Sequence, residues 1–137
     1  MSGIETKYTK KVLIVDDEPY ILRVLKLKLE NAGYEVVTAV NGLDGLEKFV
    51  KEMPAVVISD VNMPHFNGQD MYKMMELHMK KDPFLVIVMT SSLDSSIKRW
   101  ANDISNIHFL EKPFSPNNVL HLIKGYFSKL QETNANL

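Results

Sequence analysis

The sequence predicts one α/β domain built on a doubly wound, five-stranded parallel sheet. Two observations carry most of this expectation. Five short apolar runs, KVLIVD (11–16), YEVVTA (34–39), AVVISD (55–60), FLVIVMT (84–90) and IHFL (107–110), are β-branched and unbroken, the pattern of strands buried on both faces. Amphipathic stretches near 19–32, 43–52, 69–81, 95–103 and 116–131 separate and follow them, and alternation of strand with helix builds a parallel sheet covered on both sides. The chain's 137 residues suit a single domain that buries roughly two-thirds of its unfolded surface. Residues 1–10 and 132–137 read as polar tails around a domain at 11–131.

Each helix carries its own signal. In the first, Leu22, Leu25, Leu29 and Ala32 form an inward stripe, Pro19 suits the first turn, and Gly33 is free to take a left-handed cap. In the second, Gly45 interrupts the helix at a cost of about 1 kcal/mol relative to Ala. In the third, Met71, Met74, Met75 and Met79 form a stripe that reads as core. Ile97, Trp100, Ala101 and Ile104 do the same in the fourth. The fifth starts at Ser115-Pro116 and carries Val119, Leu120, Leu122, Ile123, Phe127 and Leu130.

Composition narrows the function classes. A net charge of -1 gives no global attraction to nucleic acid or anionic membrane. The absence of cysteine removes disulfides, thiolate metal sites and cysteine nucleophiles. No apolar stretch approaches the ~20 residues of a membrane helix, and MSGIETKYTKK lacks the apolar segment of a secretory signal. The expectation is a cytoplasmic protein. His65, His78, His108 and His121 are scattered without metal-site spacing.

The strand ends carry the chemistry. VLIVDD ends on Asp16 and Asp17, VVISD on Asp60 and FLVIVMT on Thr90, and Lys112 lies just past IHFLE. Parallel strands would gather all five at one sheet edge, where ligands of open α/β sheets bind. Carboxylates ~5 Å apart repel by about 3 kcal/mol per pair at an effective dielectric of ~20. Lys112 offsets one charge, and a divalent cation balances the remainder; an all-oxygen site suits Mg2+ or Mn2+. A carboxylate beside such an ion and an ammonium is placed to attack phosphorus. Asp60 ends the middle strand and precedes a loop stiffened by Pro64 and closed by Gly68, so it is the candidate nucleophile, with the Asn62 carbonyl facing the metal. The bland alternatives are helix capping by Asp17, Glu18 or Thr90 and a solvated Lys112.

VLIVDDEP, SDVNMPHFNG, VIVMTSS and FLEKPF, in that order and spacing, resemble the receiver domain of two-component response regulators, from about Lys11 to about Leu130. The resemblance is to the single-domain, chemotaxis-type members. It implies a flavodoxin-like sheet in the order 2-1-3-4-5 and a cis Lys112-Pro113 bond. It makes Asp60 both the phosphoacceptor and a metal ligand, with Asp17 binding the metal directly, Asp16 through water, and the Asn62 carbonyl as a further ligand. Thr90 becomes the switch hydroxyl, Lys112 the ion-pair partner of the phosphoryl group and Phe109, which lacks the hydroxyl of a tyrosine, the aromatic switch. Asn62 and Ser92 occupy positions that tune dephosphorylation.

The resemblance also implies partners. A flank of Ile21, Val24, Pro64 and Pro113-Phe114 would dock a histidine kinase or histidine phosphotransfer protein. Lys98, Arg99 and Trp100 are candidates for what an unidentified downstream protein sees. With only a few polar residues after Leu130, the expectation is a stand-alone regulator or an excised receiver. Two competing readings are a phosphotransferase or phosphatase using an aspartyl-phosphate, which would need a second acid near Asp60, and a nucleotide binder, which would need a Gly-rich phosphate loop.

Overall fold

The computed structural model describes residues 10–61, 68–78, 84–91, 99–100 and 107–135. In chain order these form β1 (Lys11–Val15), α1 (Pro19–Asn31), β2 (Glu35–Ala39), α2 (Gly42–Glu52), β3 (Val56–Asp60), α3 (Gly68–His78), β4 (Leu85–Thr90), β5 (Ile107–Glu111) and α4 (Pro116–Ala135). The strands make one sheet in the order β2-β1-β3-β4-β5, and every pairing is parallel. This is the doubly wound α/β architecture and strand order expected.

Alternation along each strand divides the core between two faces. Val12 and Ile14 of β1, Val56 and Ile58 of β3, and Ile87 and Met89 of β4 pack against Leu25 and Leu29 of α1 and Val119, Ile123 and Phe127 of α4. Leu13, Val15, Val57, Val86 and Val88 face the other way, onto Phe49 of α2 and Met71, Tyr72 and Met75 of α3. The central strands are therefore buried throughout, which is why their sequences run apolar without alternating.

The helix ends follow local chemistry. Pro19 opens α1, and Glu18 precedes it with no side-chain capping bond. Gly33 takes a φ of 96°, and the Tyr34 amide donates to the Leu29 carbonyl across it, closing α1 in a left-handed turn. Asn41 caps α2 by accepting from the Asp44 amide at 2.8 Å, while Asp44 accepts from the Val40 amide in return. Past the C-terminus of α2, Met53 adopts φ 50° and ψ 58°, a conformation that favours glycine.

Three expectations are corrected. Met74 is 38% exposed, so the methionine stripe of α3 is core only at Met71 and Met75; Met79 lies outside the described residues. Ala32 is exposed because it ends α1 rather than lining it. The last helix runs to Ala135, into what the sequence reads as a tail, because QETNA contains neither Gly nor Pro to stop it. Of the helix expected at 95–103, Arg99 and Trp100 are helical; Ile97, Lys98, Ala101 and Ile104 lie outside the described residues.

Candidate functional site

Register sets the site. Val12–Val15 of β1 pair with Val56–Ser59 of β3 in step, so one residue further on Asp16 stands beside Asp60. On the other side of β3, Asp60 pairs with Met89, and Thr90 pairs with Glu111. The Lys112 amide donates to the Thr90 carbonyl at 2.7 Å. The sheet order reverses between β1 and β3, the position where open α/β sheets bind ligands.

Alternation also sorts the side chains. Asp16, Asp60 and Lys112 continue the positions that face α1 and α4, whereas Thr90 and Phe109 continue the positions that face α2 and α3. Lys112 Nζ lies 3.2 Å from Asp60 Oδ2, 3.5 Å from Asp16 Oδ2 and 3.4 Å from Glu18 Oε1. Asp16 is fully buried, and its Oδ1 accepts the Glu18 amide at 2.8 Å. Asp60 and Thr90 are buried as well. The Lys112-Pro113 bond is cis.

Burial outweighs the partners of Asp16. Desolvation raises its pKa above the ordinary aspartate value, against the pull of the Glu18 amide and the Lys112 ammonium, and Asp60 pushes the same way as burial. For Lys112 burial opposes the charge, but Asp16 and Asp60 overcome it and hold the ammonium above the usual lysine pKa. One cation thus serves several acids, and the negative charge is not fully compensated.

Asp16, Asp17, Glu18 and Asp60 each offer a carboxylate oxygen, all within 4.8 Å of one another. Four oxygens carrying excess negative charge fit a hard divalent cation such as Mg2+. Asp16 and Asp60 are its buried side, Asp17 and Glu18 its exposed side.

The sequence reading therefore finds Asp16, Asp17, Asp60 and Lys112 together, with Thr90 at the adjacent strand end. It missed Glu18 as a member of the cluster and considered it only as a helix cap; the signal was a third consecutive acid after β1. Lys112 is not a solvated charge, since its side chain is only 16% exposed. Phe109 is partly buried on the α2–α3 face. Ile21 and Val24 are half-buried on α1, and Pro113 is exposed. Asn62, Pro64 and Ser92 lie outside the described residues.

Comparison with known families decides the assignment. The family model of the response regulator receiver domain matches residues 12–124. The chain belongs to the response regulator receiver domain family.

Receiver domains of both free-standing and larger proteins resemble it. Chemotaxis protein CheY of Thermotoga maritima is 36% identical over 121 residues, 83% of this chain and 94% of that protein. The alkaline phosphatase synthesis transcriptional regulatory protein PhoP of Bacillus subtilis is 33% identical over 115 residues, 84% of this chain but 47% of that protein. The chain thus spans about half the length of the transcriptional regulators it matches. Among solved structures, Vibrio cholerae CheY4 superposes with a TM-score of 0.77 at 32% identity, covering 85% of this chain and 97% of that one. A Clostridium thermocellum receiver domain reaches 0.79 at 28% identity, covering 90% and 98%. Within this receiver domain, no described helix is long and apolar enough to cross a membrane.

Proposed function

We propose that this receiver domain accepts a phosphoryl group on Asp60 in a Mg2+-dependent reaction and signals through the resulting change in its surface. The observation that carries the reading is Asp60 at the end of β3, held beside Asp16 and 3.2 Å from the Lys112 ammonium. Asp16, Asp17, Asp60 and the Asn62 carbonyl would hold Mg2+ (Mn2+ is an alternative), with Glu18 on the exposed rim. When bound, the ion supplies positive charge where the transferring phosphoryl oxygens carry their negative charge.

The residues of the chain do the rest. A carboxylate oxygen of Asp60 forms the new bond to phosphorus as the bond from phosphorus to the donor nitrogen breaks. The electron pair leaves with that nitrogen, and Asp60 becomes an acyl phosphate. Lys112 pairs with Asp60 beforehand and with a phosphoryl oxygen afterwards. Thr90 supplies a hydroxyl for another oxygen, and its movement leaves space for Phe109, on the same face of the sheet, to rotate inward. The segment containing Arg99 and Trp100 then changes, and a downstream protein reads it.

The donor is a histidine kinase or histidine phosphotransfer protein in the cytoplasm. It docks on Ile21 and Val24, on the flank of α1 beside the site, together with Pro64 and Pro113. Beyond its own phosphorylation and dephosphorylation the domain turns over no substrate.

The test is incubation with acetyl phosphate and Mg2+. An acid-stable, base-labile phosphoryl group that needs the metal and is lost in Asp60→Asn supports the reading. Labelling that persists in Asp60→Asn overturns it, and sustained turnover of added phosphoesters favours an enzyme.

A further inference from the structure

The chemistry at the strand ends leaves the opposite flank of the molecule unused. Among the described residues eight large apolar side chains are exposed, and five of them are Leu43, Val50 and Met53 on or just past α2 and Met74 and Leu77 on α3. Exposure runs from 38% at Met74 to 75% at Leu77. Scattered apolar residues are ordinary on a surface, but a contiguous patch marks a contact site.

Helical phase makes this patch contiguous. In α2, Gly42, Gly45 and Phe49 point inward. At 3.6 residues per turn Leu43, Leu46 and Val50 fall on one flank, with Asp44 and Lys48 on the other. Lys48 Nζ bonds the Thr38 carbonyl of β2 at 2.6 Å, so the charged flank faces the sheet edge and the apolar flank faces α3. In α3, Tyr72 leans away from α2 to meet Trp100 with ring centroids 6.0 Å apart. Met74 and Leu77 lie on the opposite flank, toward α2. The groove between the two helices is thus apolar on both walls apart from Asp70, which helical phase puts between Met74 and Leu77.

The outward rim identifies the occupant. Glu47 and Lys51 on α2 and Asp70, Lys73 and Glu76 on α3 are exposed, three acids and two bases. A rim without net positive charge does not suit nucleic acid or an anionic membrane, which need a basic patch. It suits itself. The two helices run parallel, because each follows one parallel strand and precedes another. Gly45 packs against Met71, so Glu47 and Lys73, each two residues further on, stand at about the same height. A two-fold axis along the groove lays α2 on α3 of a second copy and sets Glu47 against the second copy's Lys73, twice. A stable homodimer buries roughly 800 Å2 per partner.

We propose that the α2–α3 face is a self-association surface on which a second copy of this chain packs about that axis. It is independent of the phosphoacceptor chemistry, so either can fail alone. The experiment is sedimentation equilibrium of the whole chain from about 1 μM to about 1 mM, a range that captures weak to moderate dimers. The expected result is a monomer–dimer equilibrium within that range. Leu77→Glu raises its dissociation constant roughly a hundredfold, because each substitution enters the interface twice. Glu47→Lys weakens it about tenfold, and Glu47→Lys combined with Lys73→Glu restores it. All three positions are exposed, and an unchanged thermal melt shows that the fold is kept. A wild-type monomer at every concentration overturns the proposal, including one that floats with anionic vesicles. A dimer indifferent to Leu77→Glu, or one that the charge swap fails to restore, overturns it as well.

Discussion

Asp60 and Lys112 meet across an intervening strand. They come from the ends of β3 and β5, with β4 between them, yet Lys112 Nζ lies 3.2 Å from Asp60 Oδ2. The reach is possible because the chain continues one residue past β5, where the Lys112 amide bonds the Thr90 carbonyl. The same ammonium also serves Asp16 and Glu18. This sharing leaves the acids short of positive charge.

Asp16→Asn stabilises the metal-free protein. Burial raises the Asp16 pKa, so its ionisation opposes folding. The penalty is absent below the unfolded value of about 3.9 and grows as pH rises through the folded-state pKa. At pH 7 in chelator the variant should gain on the order of 1 kcal/mol, and the gain should fade toward pH 4. Saturating Mg2+ should stabilise the wild type more than the variant. Urea unfolding with and without metal at both pH values checks this; a variant less stable at pH 7 in chelator contradicts it.

Gly45→Ala destabilises the domain although alanine is the better helix former. A Cβ at this position would lie 2.9 Å from Val15 Cγ2 and 2.8 Å from Met71 Sδ. The methionine can yield, but Val15 is a branched, buried residue of β1. Helix propensity offers about 1 kcal/mol, and overpacking costs about 1–3 kcal/mol. The net expectation is a loss on the order of 1 kcal/mol in urea unfolding, where propensity alone gives a gain of the same size.

Met53→Gly stabilises. Its side chain is 71% exposed and its backbone is left-handed, so the substitution relieves strain with little loss of packing. Left-handed backbone costs a non-glycine residue about 1 kcal/mol, and the extra freedom of the unfolded glycine returns part of that. A gain of about 0.5 kcal/mol in the same measurement is expected; a loss would show that the side chain packs more than its exposure indicates.

Charged substitutions at Ile21 and Val24 separate docking from chemistry. Both side chains are half-buried on α1, beside the site but outside the acid cluster. Ile21→Asp with Val24→Asp should slow transfer from a phosphohistidine donor protein about tenfold or more and leave labelling by acetyl phosphate near the wild-type rate. Equal losses in the two assays would assign these residues to the fold instead of the docking surface.

The sheet was legible because burial on both faces erases alternation, and VVISD or FLVIVMT have no other reading in a chain with regular helix signals between them. The acids were legible for a related reason: parallel strands turn several sequence-distant ends into one place. Less accessible was whatever depends on the neighbours of one side chain. Gly45 looks like a weak point in a helix until Val15 and Met71 are seen against it. Met74 has the spacing of core but sits at the edge of the buried arc. The burial difference between Asp16 and Asp17 arises because consecutive residues past a strand turn to opposite sides, which the pair DD alone does not orient. Glu18 joins the cluster through Lys112, a residue 94 positions away.

The central claim is that Asp60, alone among four clustered carboxylates, receives phosphorus. Borohydride reduction of the phosphorylated protein, followed by peptide mapping, locates the reacted acid by converting an acyl phosphate to an alcohol. The account predicts homoserine at position 60 only, formed after incubation with acetyl phosphate and Mg2+ and absent in chelator. Reduction at Asp16, Asp17 or Glu18, or at position 60 without the metal, would contradict it.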